Sequence, residues 1–324
     1  MLGNHGATMR DVFDFSRAAG SATALLLCAA CSTVPMHSPA QTQPQSTLRM
    51  AERSPLLYVA NFGANDVTVY KANEQDPAPI DTLTDGVVAP NALWIDAAGT
   101  LYVSNDWGAN NPYADTVTEF AQGSRTPTKT LMGLSFPGAI AVDSNGTVYV
   151  QDNSIEVYEG GSTTPTRAIT GKGNGANAFA VDDHDNLYSL IMIFRGPNEL
   201  CYSYVVKIPH GASGGKRIGV AVNGCGYGIA LDSSENLYVA YFGNNNVSKI
   251  AVFKLGSKSP FRIIKTGVNA PWRIAFGPGG ALFVPNDNSN NVTVYPAGGD
   301  TPKNTISQGV TNPFAVAISP PAPY

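Results

Sequence analysis

Charge is scarce in this chain. Twenty Lys and Arg and 24 Asp and Glu make up only 14% of 324 residues and leave a formal net charge of −4. A weakly acidic chain lacks the basic footprint that nucleic-acid binding requires, so no nucleic-acid partner is expected. Histidine is scarcer still, with four in all, and only His184 and His210 lie beyond residue 50. Few groups are therefore available for proton transfer near neutral pH. Long hydrophobic runs are also missing: the apolar stretch over residues 18–30 is too short to span a bilayer comfortably. The four cysteines fall into two pairs without zinc-finger spacing, Cys28 with Cys31 and Cys201 with Cys225. Glycine and proline, by contrast, are plentiful at 33 and 23, and hydrophobic residues reach 43%. That combination suits a sizeable core built from many short strands joined by turns.

The first 55 residues read as an address and a tether. Arg10 and Arg17 form a weakly basic head before the apolar stretch, and the start Met9 is an alternative to Met1. The stretch ends in LCAACS (27–32), which resembles a bacterial lipobox with Cys31 as the acceptor, although Cys28 stands where Leu is usual. Residues 1–31 are thus expected to be a signal peptide, with Cys31 lipidated and the protein anchored to the cell envelope. The alternative is ordinary cleavage and a soluble periplasmic or secreted protein. Residues 32–55 are rich in Pro, Ser, Thr and Gln and have linker composition. In an oxidising compartment, Cys201 and Cys225 are expected to form a disulfide, the alternative being two buried thiols.

From residue 56 a phrase recurs: a continuously apolar strand ending in a polar residue, four turn residues, then a strand built on Leu-Tyr-Val. Its instances begin ALWID (92–96), AIAVD (139–143), AFAVD (178–182), GIALD (228–232) and RIAFG (273–277). Gly99, Gly146, Asn186, Asn236 and Gly280 are expected to supply the positive φ of the tight turn. A third, alternating strand follows each pair, as in SIEVY (154–158) and NVTVY (291–295), and a Pro-led fourth strand suits a sheet edge. Repeats of roughly 40–50 residues with four strands have the period of propeller blades. The first repeat opens with a second strand (LYVAN, 57–61) and the last closes with a first strand (AVAIS, 315–319), so the two should complete one blade. The expectation is an all-β fold: a six-bladed β-propeller over 56–319, closed by its C-terminal strand, with 320–324 as a short tail and a monomeric state.

The phrase PGAIAVDSNGTVYV (137–150) resembles the NHL-repeat signature, and more distantly the architecture is shared with gluconolactonase-like and streptogramin-lyase-like propellers. The resemblance implies a ligand face formed by the segments that lead into each first strand and out of each second strand. On that face stand Phe62, Asn91, Asp106, Trp107, Tyr227, Tyr241, Phe242, Trp272, Arg273 and Asn286. Aromatic side chains and an Arg beside amides suit recognition of a protein, peptide or glycan, with no cofactor. The lactonase-like relatives imply an alternative, a calcium-dependent hydrolase or lyase using Asn61, Asn105, Asp152 and Asn286 as oxygen donors. Those relatives carry a Glu that this face lacks. His184 and His210 are expected on the opposite face, which leaves no catalytic residue to name and favours a non-catalytic binding or scaffold propeller. The segment 191–202 lengthens the fourth repeat and is a candidate to overhang the channel mouth.

Overall fold

The computed structural model describes residues 54–106, 111–171, 175–196 and 198–322. They form six four-stranded antiparallel sheets arranged as blades. Blade I contains, from the inside outward, Pro313–Ser319, Leu56–Asn61, Asp66–Lys71 and Asp81–Leu83. Blades II to VI begin with the inner strands Pro90–Ile95, Ile140–Val142, Ala176–Val181, Gly224–Leu231 and Ala275–Phe276, and the next three strands of the chain complete each one. The last strand pairs with the first, setting Leu57 opposite Ile318 and Ala60 opposite Ala315. The ring is therefore closed by non-covalent pairing of the two ends of the repeat region, and the inner edge of blade I is not left open.

The recurring Asp explains why the hairpin phrase repeats so closely. Asp143 Oδ1 accepts the backbone N–H groups of Asn145 and Thr147, at 3.0 and 2.9 Å, and its Oδ2 accepts the Tyr149 hydroxyl at 3.2 Å. Tyr102 and Tyr188 donate to Asp96 and Asp182 in the same manner. One carboxylate thus satisfies the turn and fastens it to the second strand. Blade VI has lost both partners at once: Gly277 replaces the Asp, and Phe283 the Tyr. A side chain at Gly277 would meet the Phe283 ring at 2.8 Å.

Positive φ occurs at Gly99, Gly146 and Gly280 as expected, but blades IV and V place it at Asp185 and Glu235. Asn186 and Asn236, one residue later, instead donate from their amides to Asp182 and Asp232. Side-chain bonding to the turn carboxylate, not backbone freedom, accounts for asparagine there.

The segment over 191–202 is a regular ladder. Strand Leu187–Arg195 pairs with Leu200–Ile208 out to Arg195 opposite Leu200. Cys201 is bonded to Cys225 with Cα atoms 5.0 Å apart, and Asn244 exchanges two hydrogen bonds with the Cys201 backbone. The extended hairpin of blade IV is therefore tied to the inner strand of blade V.

Candidate functional site: the channel mouth

At or near the start of four inner strands the pairing skips one residue. Register shifts leave Asn91, Asn177, Tyr227 and Phe314 unpaired in blades II, IV, V and I. Trp272 holds the equivalent place in blade VI, after the Pro271–Asn286 bridge, and Gly138 does so in blade III. A bulge re-aims the side chain it frees. Six equivalent positions thus ring one end of the channel. Three consecutive blades (V, VI and I) contribute Tyr, Trp and Phe, and the other three contribute Asn, Gly and Asn.

The aromatic half is a stack. Phe62 lies on Phe314 with centroids 4.3 Å apart, Phe314 on Trp272 at 4.0 Å, and Tyr227 against Trp272 at 4.5 Å. All four side chains are half-buried. Close approach of the strands makes this possible: a Cβ at Gly228 would lie 2.2 Å from the Trp272 carbonyl oxygen. Backbone bonds from Arg273 N–H to the Phe314 carbonyl, and from Val316 N–H to that of Arg273, join the inner strands of blades VI and I.

The position after the bulge is Ala or Gly in every blade except VI, where it is Arg273. Its Nη1 donates to the backbone carbonyl and the side-chain oxygen of Asn91, at 2.9 and 2.7 Å. The Asn91 amide in turn donates to Asp106 at 3.3 Å. Burial pulls the Arg273 pKa down to about 10, while the charge of Asp106 works against that shift. The guanidinium is therefore a desolvated cation at neutral pH.

Phe62, Asn91, Asp106, Tyr227, Trp272 and Arg273 are thus brought together, as the repeat register implies. Tyr241 is buried in the hydrophobic core it shares with Val220 and Val239. Phe242 pairs with Cys225 and takes no part in the stack. Trp107 and Cys31 lie outside the described residues. Phe314 was missed, although a signal existed: it follows Pro313 as Trp272 follows Pro271 and Asn91 follows Pro90.

The oxygen donors suggested for calcium have other work. Asn61, Asn105 and Asn286 are fully buried, and their side-chain oxygens accept the backbone N–H of Thr311, Val88 and Asn269 at 2.9–3.0 Å. Asp152 accepts N–H from Ser135 and Phe136. Each fastens the segment that leads into its own blade's inner strand, and a cation would have to displace those donors. His184 pairs with Asp183, and His210 with Asp143 at 3.5 Å, both at the other end of the inner strands. GASGG (211–215) has the spacing of a nucleophile elbow but occupies the turn before strand Lys216–Val222, without a following helix. Among the described residues no hydrogen bond joins Ser213 to His210.

The fold has many solved counterparts. A chain of the nidogen/laminin complex superimposes with a TM-score of 0.62 at 16% identity, covering 82% of this chain and 98% of its own. A protein of unknown function from Bacteroides caccae gives 0.57 at 10% identity, covering 82% and 99%. Kuenenia stuttgartiensis hydrazine synthase gives 0.53 at 14%, covering 73% and 72%. The fold is a six-bladed β-propeller. The NHL-like resemblance of its repeats fits that architecture. No family model matches the chain, and no curated protein matches it. Among the described residues no helix is long and apolar enough to cross a membrane.

Proposed function

We propose that this chain is an extracytoplasmic, non-catalytic binding propeller that captures a peptide or a protein segment at its channel mouth. The observation that carries the reading is the divided bulge ring, with its aromatic half beside the Arg273–Asn91–Asp106 cluster. Aromatic and Arg anchors flanked by adaptable amides are the usual hot spots of protein recognition. The stack favours a peptide over a glycan. Phe314 and Trp272 spend their ring faces on each other and on their neighbours, whereas sugars need an open face. The placement of both described histidines at the far end of the channel supports a non-catalytic role. The Cys201–Cys225 disulfide is compatible with an extracytoplasmic site, and the nidogen/laminin counterpart comes from a protein–protein complex.

A displayed random-peptide library and a glycan array, both presented to the full chain, test the reading. Peptides should be enriched whose affinity falls about tenfold or more in Trp272→Ala and Tyr227→Ala, one hot-spot contact being worth ~2 kcal/mol. Enrichment of glycans alone, or of peptides indifferent to both variants, would refute it. For the anchor, Cys31→Ser should move the protein from the membrane to the soluble fraction of an exporting bacterial host.

A further inference from the structure

Beneath the mouth, the channel holds a cavity of about 370 Å³ that the stack leaves unused. Its wall is mainly apolar, with Leu93, Ile140, Phe179, Ile229, Ile274 and Val316 among its residues. It extends from Arg273 to the turns of the opposite face at Ser233 and Gly279, beside Pro321. An apolar cavity of ~150 Å³ already admits benzene, and ligand pockets start at about 300 Å³. The space is therefore large enough for a small organic molecule.

Two buried donors in this wall have no acceptor among the described residues: Arg273 Nε and Trp94 Nε1. Interiors seldom leave such groups unpaired, because a donor taken out of water without a partner forfeits its hydration, a charged one most of all. Asn91 occupies only Nη1 of the guanidinium. The one carboxylate in the wall, Asp232, already accepts from the N–H groups of Ser234 and Asn236 and from the Asn236 amide. The cavity thus offers donors, a positive charge and hydrocarbon but no acceptor for Arg273 Nε.

We propose that the channel binds an apolar monocarboxylate of the medium-chain fatty-acid class, its carboxylate on Arg273 and its hydrocarbon tail along the apolar wall toward the opposite face. A carboxylate matches the planar guanidinium and supplies the missing acceptor. An alkylamine would set like charge against Arg273, and an alcohol would bring no charge to complement it. Burial already holds the guanidinium near pKa 10, so a counter-anion beside it gains more than it would in water. This site shares Arg273 with the peptide site but none of its rings: Phe62, Tyr227, Trp272 and Phe314 do not border the cavity.

Calorimetry of the full chain with sodium octanoate, 1-octanol and octylamine at neutral pH decides the matter. Octanoate should bind saturably at one site, about tenfold or more tighter than octanol, with no binding of octylamine. Arg273→Met should weaken octanoate about tenfold or more and leave octanol unchanged. If that variant does not melt cooperatively, Arg273→Lys, which keeps the charge but lacks Nε, should show the weakening. Phe62→Ala should leave octanoate affinity intact even if it abolishes peptide capture. The proposal is overturned by no saturable octanoate binding at millimolar concentration, by octanol binding as tightly as octanoate, or by unchanged octanoate affinity in the Arg273 variants.

Discussion

Phe314 lies flat against Trp272, with ring planes 8° apart and centroids 4.0 Å apart, so the blade that closes the ring also completes the aromatic wall of the mouth. Trp272 contacts Tyr227 on its other side. Trp272→Ala removes both contacts and should cost about 1–3 kcal/mol, at ~0.5–1.5 kcal/mol per aromatic pair. Trp272→Phe should recover part of the loss. Urea unfolding followed by far-UV circular dichroism would show this, and a loss below a few tenths of a kcal/mol would contradict the stack.

Ring closure rests on the strand Pro313–Ser319 beside Leu56–Asn61. Val316 is opposite Val59 and both are buried. Val316→Asp would bury an unpaired carboxylate there and should abolish the cooperative thermal transition. Truncation after residue 312 should do the same. A truncated chain that still melts in one sharp transition would disprove the closure.

The Asp–Tyr latch of the hairpins makes a paired prediction. Tyr149→Phe should cost about 0.5–1.5 kcal/mol, the net value of one hydrogen bond. Asp143→Ala should cost more, because it also strands the Asn145 and Thr147 N–H groups. In blade VI, where Gly277 offers no acceptor, Phe283→Tyr should destabilise the protein. Chemical unfolding of the three variants and of the double variant Asp143→Ala/Tyr149→Phe would measure the coupling.

Acid should weaken blade IV through Asp182. Burial alone would raise this carboxyl's pKa, but bonds from the Asn186 backbone and side chain, from Lys207 and from Tyr188 outweigh it and hold the pKa below the ordinary 3.8. The unfolded chain then binds this proton more readily. The contribution is fully present above pH 3.8 and is lost as pH falls below it. Urea midpoints at pH 7 and pH 3 should converge in Asp182→Asn relative to the parent. An equal fall in both proteins would remove Asp182 as a cause.

Reduction of Cys201–Cys225 should release the hairpin of blade IV. The bond closes a 24-residue separation, for which chain entropy gives about 3 kcal/mol. Dithiothreitol should raise hydrogen exchange at residues 191–202 and lower the urea midpoint, while blades I and II keep their protection. Uniform loss across all blades would show that the bond supports the whole ring.

The blades, their number and their closure were written in the sequence, because a local device repeats and its two end copies are incomplete, whereas Cys201 and Cys225 read as a disulfide or as two thiols until the fold set their Cα atoms 5.0 Å apart. Asp143 reaches Thr147 and Tyr149 within one hairpin, and the two ends of the repeat each lack the strand the other carries. The face bearing Asn91, Trp272 and Arg273 was legible for the same reason, since register alone fixes which strand end a residue occupies. Tertiary structure alone decided what those side chains meet. A bulge re-aims Phe314 and Tyr227, and they meet Trp272 only because blades V, VI and I pack side by side. In sequence Asn61 and Asn286 are side-chain oxygens without an assigned partner, and only the fold places the backbone N–H groups of Thr311 and Asn269 on them. Arg273 finds Asn91 only because the ring is shut, which brings together residues 182 positions apart in the chain.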